Sequence, residues 1–257
     1  MNVLVLLALI LLLLMVAIGG KKGARSFMSL FFNFTIVLLT VFIMIDPHAN
    51  PILLTMIACT AVSAINLFYI NKVNSKTVTA FISTIITIAF MFMFIYVVTK
   101  KAMIHGFGEE EIEELSIFSL YIGVDFVKIA AAVIIMSTIG AITDVAISIT
   151  SPMREIFNHN PTISRQALFA SGLTIGKDIL GSNTNTLFFA FIGGYMALLL
   201  WFKDLSYSFG DIVNSKIFSA EMIMICCAGI GIALIIPIAA WINAYYLVHI
   251  HSKSPKS

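Results

Sequence analysis

Long apolar runs separated by short polar connections dominate the chain. They extend from Val3 to Gly20, Phe27 to Ile45, Ile52 to Ile70, Val78 to Val98, Val127 to Ile149, Leu187 to Phe202 and Met222 to Val248. A hydrocarbon core about 30 Å thick is crossed by about 20 helical residues, so each run is near spanning length. The pattern predicts an all-α fold: a polytopic transmembrane helix bundle of about seven spans. It forms a single integral membrane domain over residues 1–257. Four spans fall in 1–98, an outer acidic connection occupies 99–126, and three spans fall in 127–257.

The connections assign sides. The first, third and fifth, with the C-terminal tail, hold Lys21, Lys22, Arg25, Lys72, Lys76, Arg154, Arg165, Lys177, Lys253 and Lys256. The other side holds only Lys100, Lys101, Lys203 and Lys216, together with most of the acids, including Glu109–Glu114. Basic residues favour the cytoplasmic side, so the N-terminus is expected outside and the C-terminus in the cytoplasm. "DPHANP" at Asp46–Pro51 reads as a tight outer turn, because its prolines continue neither flanking helix. The apolar run Ile117–Ile149 would extend about 50 Å as one helix. Its outer end is expected to project beyond the bilayer or to break near Gly123, with Asp125 and Lys128 paired at i, i+3 near the interface. Pro237 inside the last span predicts a kink tolerated by neighbouring helices.

Composition supports the membrane reading. Hydrophobic residues make up 60% of the chain and charged residues 11%, against about 25% charged in soluble domains. Mean hydropathy is +1.03 and net charge only +2, which does not favour nucleic acid as a partner. The first run lacks a basic leader and a small-residue cleavage site, so it reads as an uncleaved helix. Cys59, Cys226 and Cys227 lie in apolar runs and read as packing residues. "FMFMFIY" at Phe90–Tyr96 reads as a lipid-facing surface.

The segment Gly140–Thr186 departs from this pattern by carrying Asp144 and Asp178. On a helix, Ser137, Gly140, Asp144, Ser148 and Ser151 share one face, as do Ser171, Asp178, Ser182 and Asn185 on a second. The two polar faces are expected to meet. By span counting, Asp144 lies about a turn inside the hydrocarbon core and Asp178 more than a turn outside it. A carboxylate at membrane depth costs about 2.5–3.5 kcal/mol on insertion scales, so it marks a path or binding site, or else joins helices by hydrogen bonds. Gly140, Gly176 and Gly181 permit close helix packing or a short broken segment lining a cavity. Lys177 reads as a snorkelling cation or a counter-charge for an anionic head group.

"IGGKKGARS", "GAITDVAISITSPMREI" and "GKDILGSNTNTLFFAFIGG" resemble the YibE/F family of multi-span proteins, in its short, YibF-like form. The resemblance implies a bacterial cytoplasmic membrane and a YibE-like partner. It implies no particular substrate.

Two functional readings follow. In the first, a transporter or permease component uses Asp144, Asp178, Thr143, Ser148, Asn183 and Asn185 to bind or relay protons or another cation, since their oxygens suit hard cations. In the second, the chain is a non-catalytic accessory or scaffold subunit, or a homo-oligomer, whose polar faces serve assembly. Paired intramembrane aspartates invite a protease reading, but "AITD" and "TIGKD" depart from that motif at both acids. Without GxSxG, HExxH or Walker A patterns, no enzyme activity, cofactor or metal site is expected.

Overall fold

The computed structural model describes residues 2–46, 48–102, 104, 125–204 and 206–253. The acidic run Glu109–Glu114 and Gly123 fall outside them. All regular structure among the described residues is helical. Helix α1 spans Val3–Met44; α2 spans Pro51–Ala64 and continues as a π-helical turn, Ile65–Tyr69. Helix α3 is Ser75–Ala102, α4 Phe126–His159 and α5 Arg165–Gly194. Short helices α6 (Met196–Asp204) and α7 (Phe209–Asn214) lead to α8, Lys216–Lys253.

Local chemistry sets the helix starts. Asn50 accepts from the Ile52 N–H and Pro51 occupies the first helical position, where a missing donor costs least. Asn74 and Thr77 cap α3 reciprocally: each side chain accepts from the other's backbone N–H. Asp125 accepts from the Val127 and Lys128 N–H groups and pairs with Lys128 at 3.2 Å, as the spacing predicts. Ser164 caps α5.

Five helices among the described residues are long and apolar enough to cross a membrane: Val3–Met44, Pro51–Tyr69, Ser75–Ala102, Phe126–His159 and Lys216–His249. Two departures from the predicted pattern account for the difference from seven. The first two runs join in α1, with Gly20 at φ 54° and ψ −134° between two helical arms. Only glycine adopts that conformation readily. The chain bends there sharply enough to press the Met15 carbonyl against Gly23, where a side chain would not fit. The predicted run Leu187–Phe202 is interrupted at Tyr195, whose backbone leaves the helical region after Gly193 and Gly194. Its first half belongs to α5, whose long polar N-terminal portion dilutes the apolar signal.

Helices α3, α4 and α8 form the centre. Met91, Ile95, Ile142, Ile149, Ile232 and Ile235 are fully buried there. The "FMFMFIY" run is therefore divided: Phe90 and Met93 face outward, whereas Met91 and Ile95 enter the core. Fully buried Asn243 joins the three helices, accepting from the Thr79 hydroxyl at 2.9 Å and donating to the Thr150 carbonyl at 3.2 Å. Helix α4 continues past the predicted inner end, through Pro152 to His159. Pro152 supplies no N–H, so the Ser148 carbonyl lacks its usual intrahelical donor.

Glycines fix the approach of α5. Added side chains at Gly172 would meet Met153 on α4 and Ala240 on α8, and at Gly176 would meet Ile236. Gly231 on α8 likewise accommodates Ile142, whose Cδ1 would lie 2.9 Å from an added Cβ. Gly140 and Gly181 do not perform the predicted packing among the described residues, none of which lies within 4 Å of a Cβ at either position. Both are on helix faces that no neighbouring helix covers closely.

Candidate polar cleft

Thr143, Asp144, Ser148 and Ser151 of α4 line an open cleft of about 560 Å³. The opposite walls come from α1 (Met15, Lys22, Ser26, Ser29, Leu30, Asn33), from the α2 π-turn and its exit (Asn66, Leu67, Ile70, Asn71), and from Lys76 at the start of α3. Ile147 completes the α4 wall. The lining is part polar and part apolar, and the volume is in the range of small-molecule sites.

The π-turn shapes the second wall. Its wider coil bonds the Ile70 N–H to the Ile65 carbonyl, five residues back. Asn71 extends the same relationship by donating from its side chain to the Asn66 carbonyl at 3.2 Å. Asn66 in turn accepts from Asn33 of α1 at 2.8 Å, while the Asn33 Oδ1 is buried without a donor. Single π-turns inside helices recur at functional sites because they turn side chains out of the α register. Here the turn presents Asn66 and Asn71 to one cleft.

Across the cleft, Lys76 donates to Ser151 at 3.0 Å, and the buried Ser63 and Thr143 hydroxyls lie 3.4 Å apart. Asp144 is seven residues before Ser151, so it lies about 10 Å further along α4 from the Lys76 contact. It is exposed through the cleft and makes no hydrogen bond or ion pair among the described residues. Among the described residues no carboxylate lies within ion-pair distance of Lys22 or Lys76, in contrast to the Lys128–Asp125 pair.

The predicted meeting of two polar faces does not occur at this cleft. Lys177, Asp178, Asn183 and Asn185 are on α5, and no α5 residue lines it. Asp178, Ser182 and Asn185 instead occupy an exposed face, opposite the buried Leu168, Gly172 and Gly176. Contacts of Ile142 with Gly231 and Thr150 with Asn243 set α4 against α8, and those of Gly172 with Ala240 and Gly176 with Ile236 set α5 against α8, so the two acids occupy different sides of the bundle. Lys22, Asn33, Asn66, Asn71 and Lys76 were not singled out from the sequence as site residues. The run "NLFYINKVNSK" hints at them by placing asparagines at the polar end of an apolar span.

Among the described residues, no three of His, Cys, Asp and Glu are grouped to hold a metal ion. Five apolar helices around a buried helical core define the class as a polytopic α-helical membrane protein. The chain belongs to the family described as YibE/F-like protein, which it matches over residues 7–249. No curated protein and no solved structure matches it.

Proposed function

We propose that the chain is a transport or permease component of a bacterial cytoplasmic membrane, with the cleft as its ligand site and Asp144 as its titratable group. The observation that carries this reading is the unpaired Asp144 carboxylate, exposed into a cleft lined by hydroxyls, amides and two lysines. A carboxylate that only joins helices takes a donor from its neighbour; at membrane depth an acid facing a polar cavity has a functional role by default. The chain crosses the membrane seven times, counting both arms of α1 and the antiparallel α5, with the N-terminus outside and the C-terminus cytoplasmic. No enzymatic step or cofactor is assigned to it.

The scaffold reading applies to a different surface. The exposed Asp178, Ser182 and Asn185 face of α5 has no partner helix among the described residues and suits assembly with a YibE-like subunit. The two readings are separated in proteoliposomes that hold a pH-sensitive dye, with the chain reconstituted alone or with that partner. After an acid step in phosphate buffer, Asp144→Asn should acidify the lumen at less than about a tenth of the wild-type rate per folded molecule. Equal rates for the two proteins, or none above empty liposomes for either, would overturn the transport reading.

A further inference from the structure

We infer that the cleft binds a phosphate-type oxyanion, held at its mouth by Lys22 and Lys76. The inference deepens the transport reading by naming a substrate class and rests on the cleft being the ligand site.

The charges at this end are one-sided. Lys22 is in the first turn of the α1 arm that restarts after Gly20, and Lys76 is in the first turn of α3. Helix N-termini carry positive partial charge and ordinarily attract acids, yet α3 has no acid in its first turn. Two cationic side chains, each in the first turn of a helical segment, therefore line one cleft. No carboxylate among the described residues neutralises either lysine. Among the described lining residues the one acid, Asp144, is about 10 Å along α4 from the Lys76–Ser151 contact.

The remaining lining specifies the anion. Lys76 spends one N–H on Ser151, leaving two of its three donors directed elsewhere. The Ser26 hydroxyl and the second side-chain N–H of Asn33 and of Asn71 add neutral donors around the lysines, whereas the Ser29 hydroxyl is spent on the Ser26 carbonyl. A group with several acceptor oxygens satisfies such a set, and ammonium–phosphate hydrogen bonds are among the stronger charge-assisted kinds. Met15, Leu30, Leu67 and Ile70 supply an apolar wall beside them. The same chemistry therefore receives inorganic phosphate or the phosphate of a lipid head group whose chains lie along that wall.

The test measures equilibrium binding with the full chain. One arm uses labelled inorganic phosphate and phosphatidylcholine nanodiscs; the other uses native mass spectrometry with phosphatidic acid against phosphatidylcholine. Saturable binding in either arm identifies the source. Lys22→Gln and Lys76→Gln should each weaken it at least about fivefold, and Lys→Arg at either position should restore most of it. Lys177→Gln, outside the cleft, should leave it unchanged. Asp144→Asn should retain or tighten binding, because it removes a negative charge from the lining. Absence of saturable binding in both arms, equal losses from Lys177→Gln, or loss in Asp144→Asn with retention in the lysine variants would overturn the inference. Because this is a binding readout, it is distinct from the acidification assay. Asp144-dependent acidification without oxyanion binding would reject the substrate class alone, whereas lysine-dependent binding with unaltered acidification in Asp144→Asn would reject the transport reading alone.

Discussion

Lys76 of α3 donates to the hydroxyl of Ser151 on α4 at 3.0 Å, two helical turns from Asp144. This contact bridges two helices that line the cleft and holds one cation on the opposite wall from the acid. It also makes the cleft a product of at least three separated chain segments. The proposed role of Asp144 predicts a separation between activity and folding: Asp144→Asn should lose acidification while its melting temperature stays within about 2 °C of wild type, since the side chain has no partner to lose. A large drop in melting temperature with activity preserved per folded molecule would identify Asp144 as a structural residue.

The glycine contacts predict unequal tolerance to size. Gly172→Leu and Gly176→Leu should each destabilise the chain by about 1–3 kcal/mol or more, because Met153, Ala240 and Ile236 occupy the space a side chain requires. Gly140→Leu and Gly181→Leu have room and should be mild. Thermal unfolding of the four variants in one detergent checks this, and equal losses across the set would contradict the observed packing.

Asn243 predicts a polar dependence inside the apolar centre. Asn243→Leu removes one acceptor of the Thr79 hydroxyl, which keeps the Ser75 and Lys76 carbonyls at 2.9 and 3.1 Å, and the side-chain donor to the Thr150 carbonyl. Each interhelical hydrogen bond lost costs about 0.5–1.5 kcal/mol. Pairing the change with Thr79→Val should recover part of the loss in a double-mutant cycle. Strict additivity of the two changes would show that the hydrogen bond contributes no coupling.

Orientation has a direct measurement. With the native cysteines replaced, a cysteine at Asn74 should be protected from impermeant reagents in intact cells, while cysteines at Glu111 and Asp211 should be labelled. The reversed pattern would place the cleft mouth on the outer side.

Asp125 predicts a pH effect at the start of α4. Burial alone would raise its pKa, but hydrogen bonds and charge from Lys128, with the Val127 N–H, outweigh it and hold the carboxyl below its ordinary value. The folded state therefore gains stability above the ordinary carboxylate range and loses it as pH falls through the lowered value. Protection of the Val127 and Lys128 amides, taken relative to the intrinsic exchange rate at each pH, should fall as pH drops below about 4, more in wild type than in Asp125→Asn. The exposed ion pair makes this a small, local effect. Matching pH profiles in the two proteins would exclude it.

Hydropathy, proline and capping residues are local quantities, and they determined much by themselves: the helical class, the apolar segments, the Asp46–Pro51 turn and the Asp125–Lys128 pair. The polar face through Asp144 was likewise readable at helical spacing, because residues 3, 4 and 7 apart must share a side of α4. Where that face points is a different kind of fact. Asp178 has an equally regular face, yet Gly172 and Gly176 bury the opposite side of α5 against α8 and leave the acid outside the cleft. Lys22, Asn33, Asn66 and Lys76 come to line one cleft with Asp144 only through the kink at Gly20, the π-turn that carries Asn66 and the packing of the helices. A sequence pattern specifies which residues are on the same side of one helix; the packing of small residues between helices decides which sides face each other.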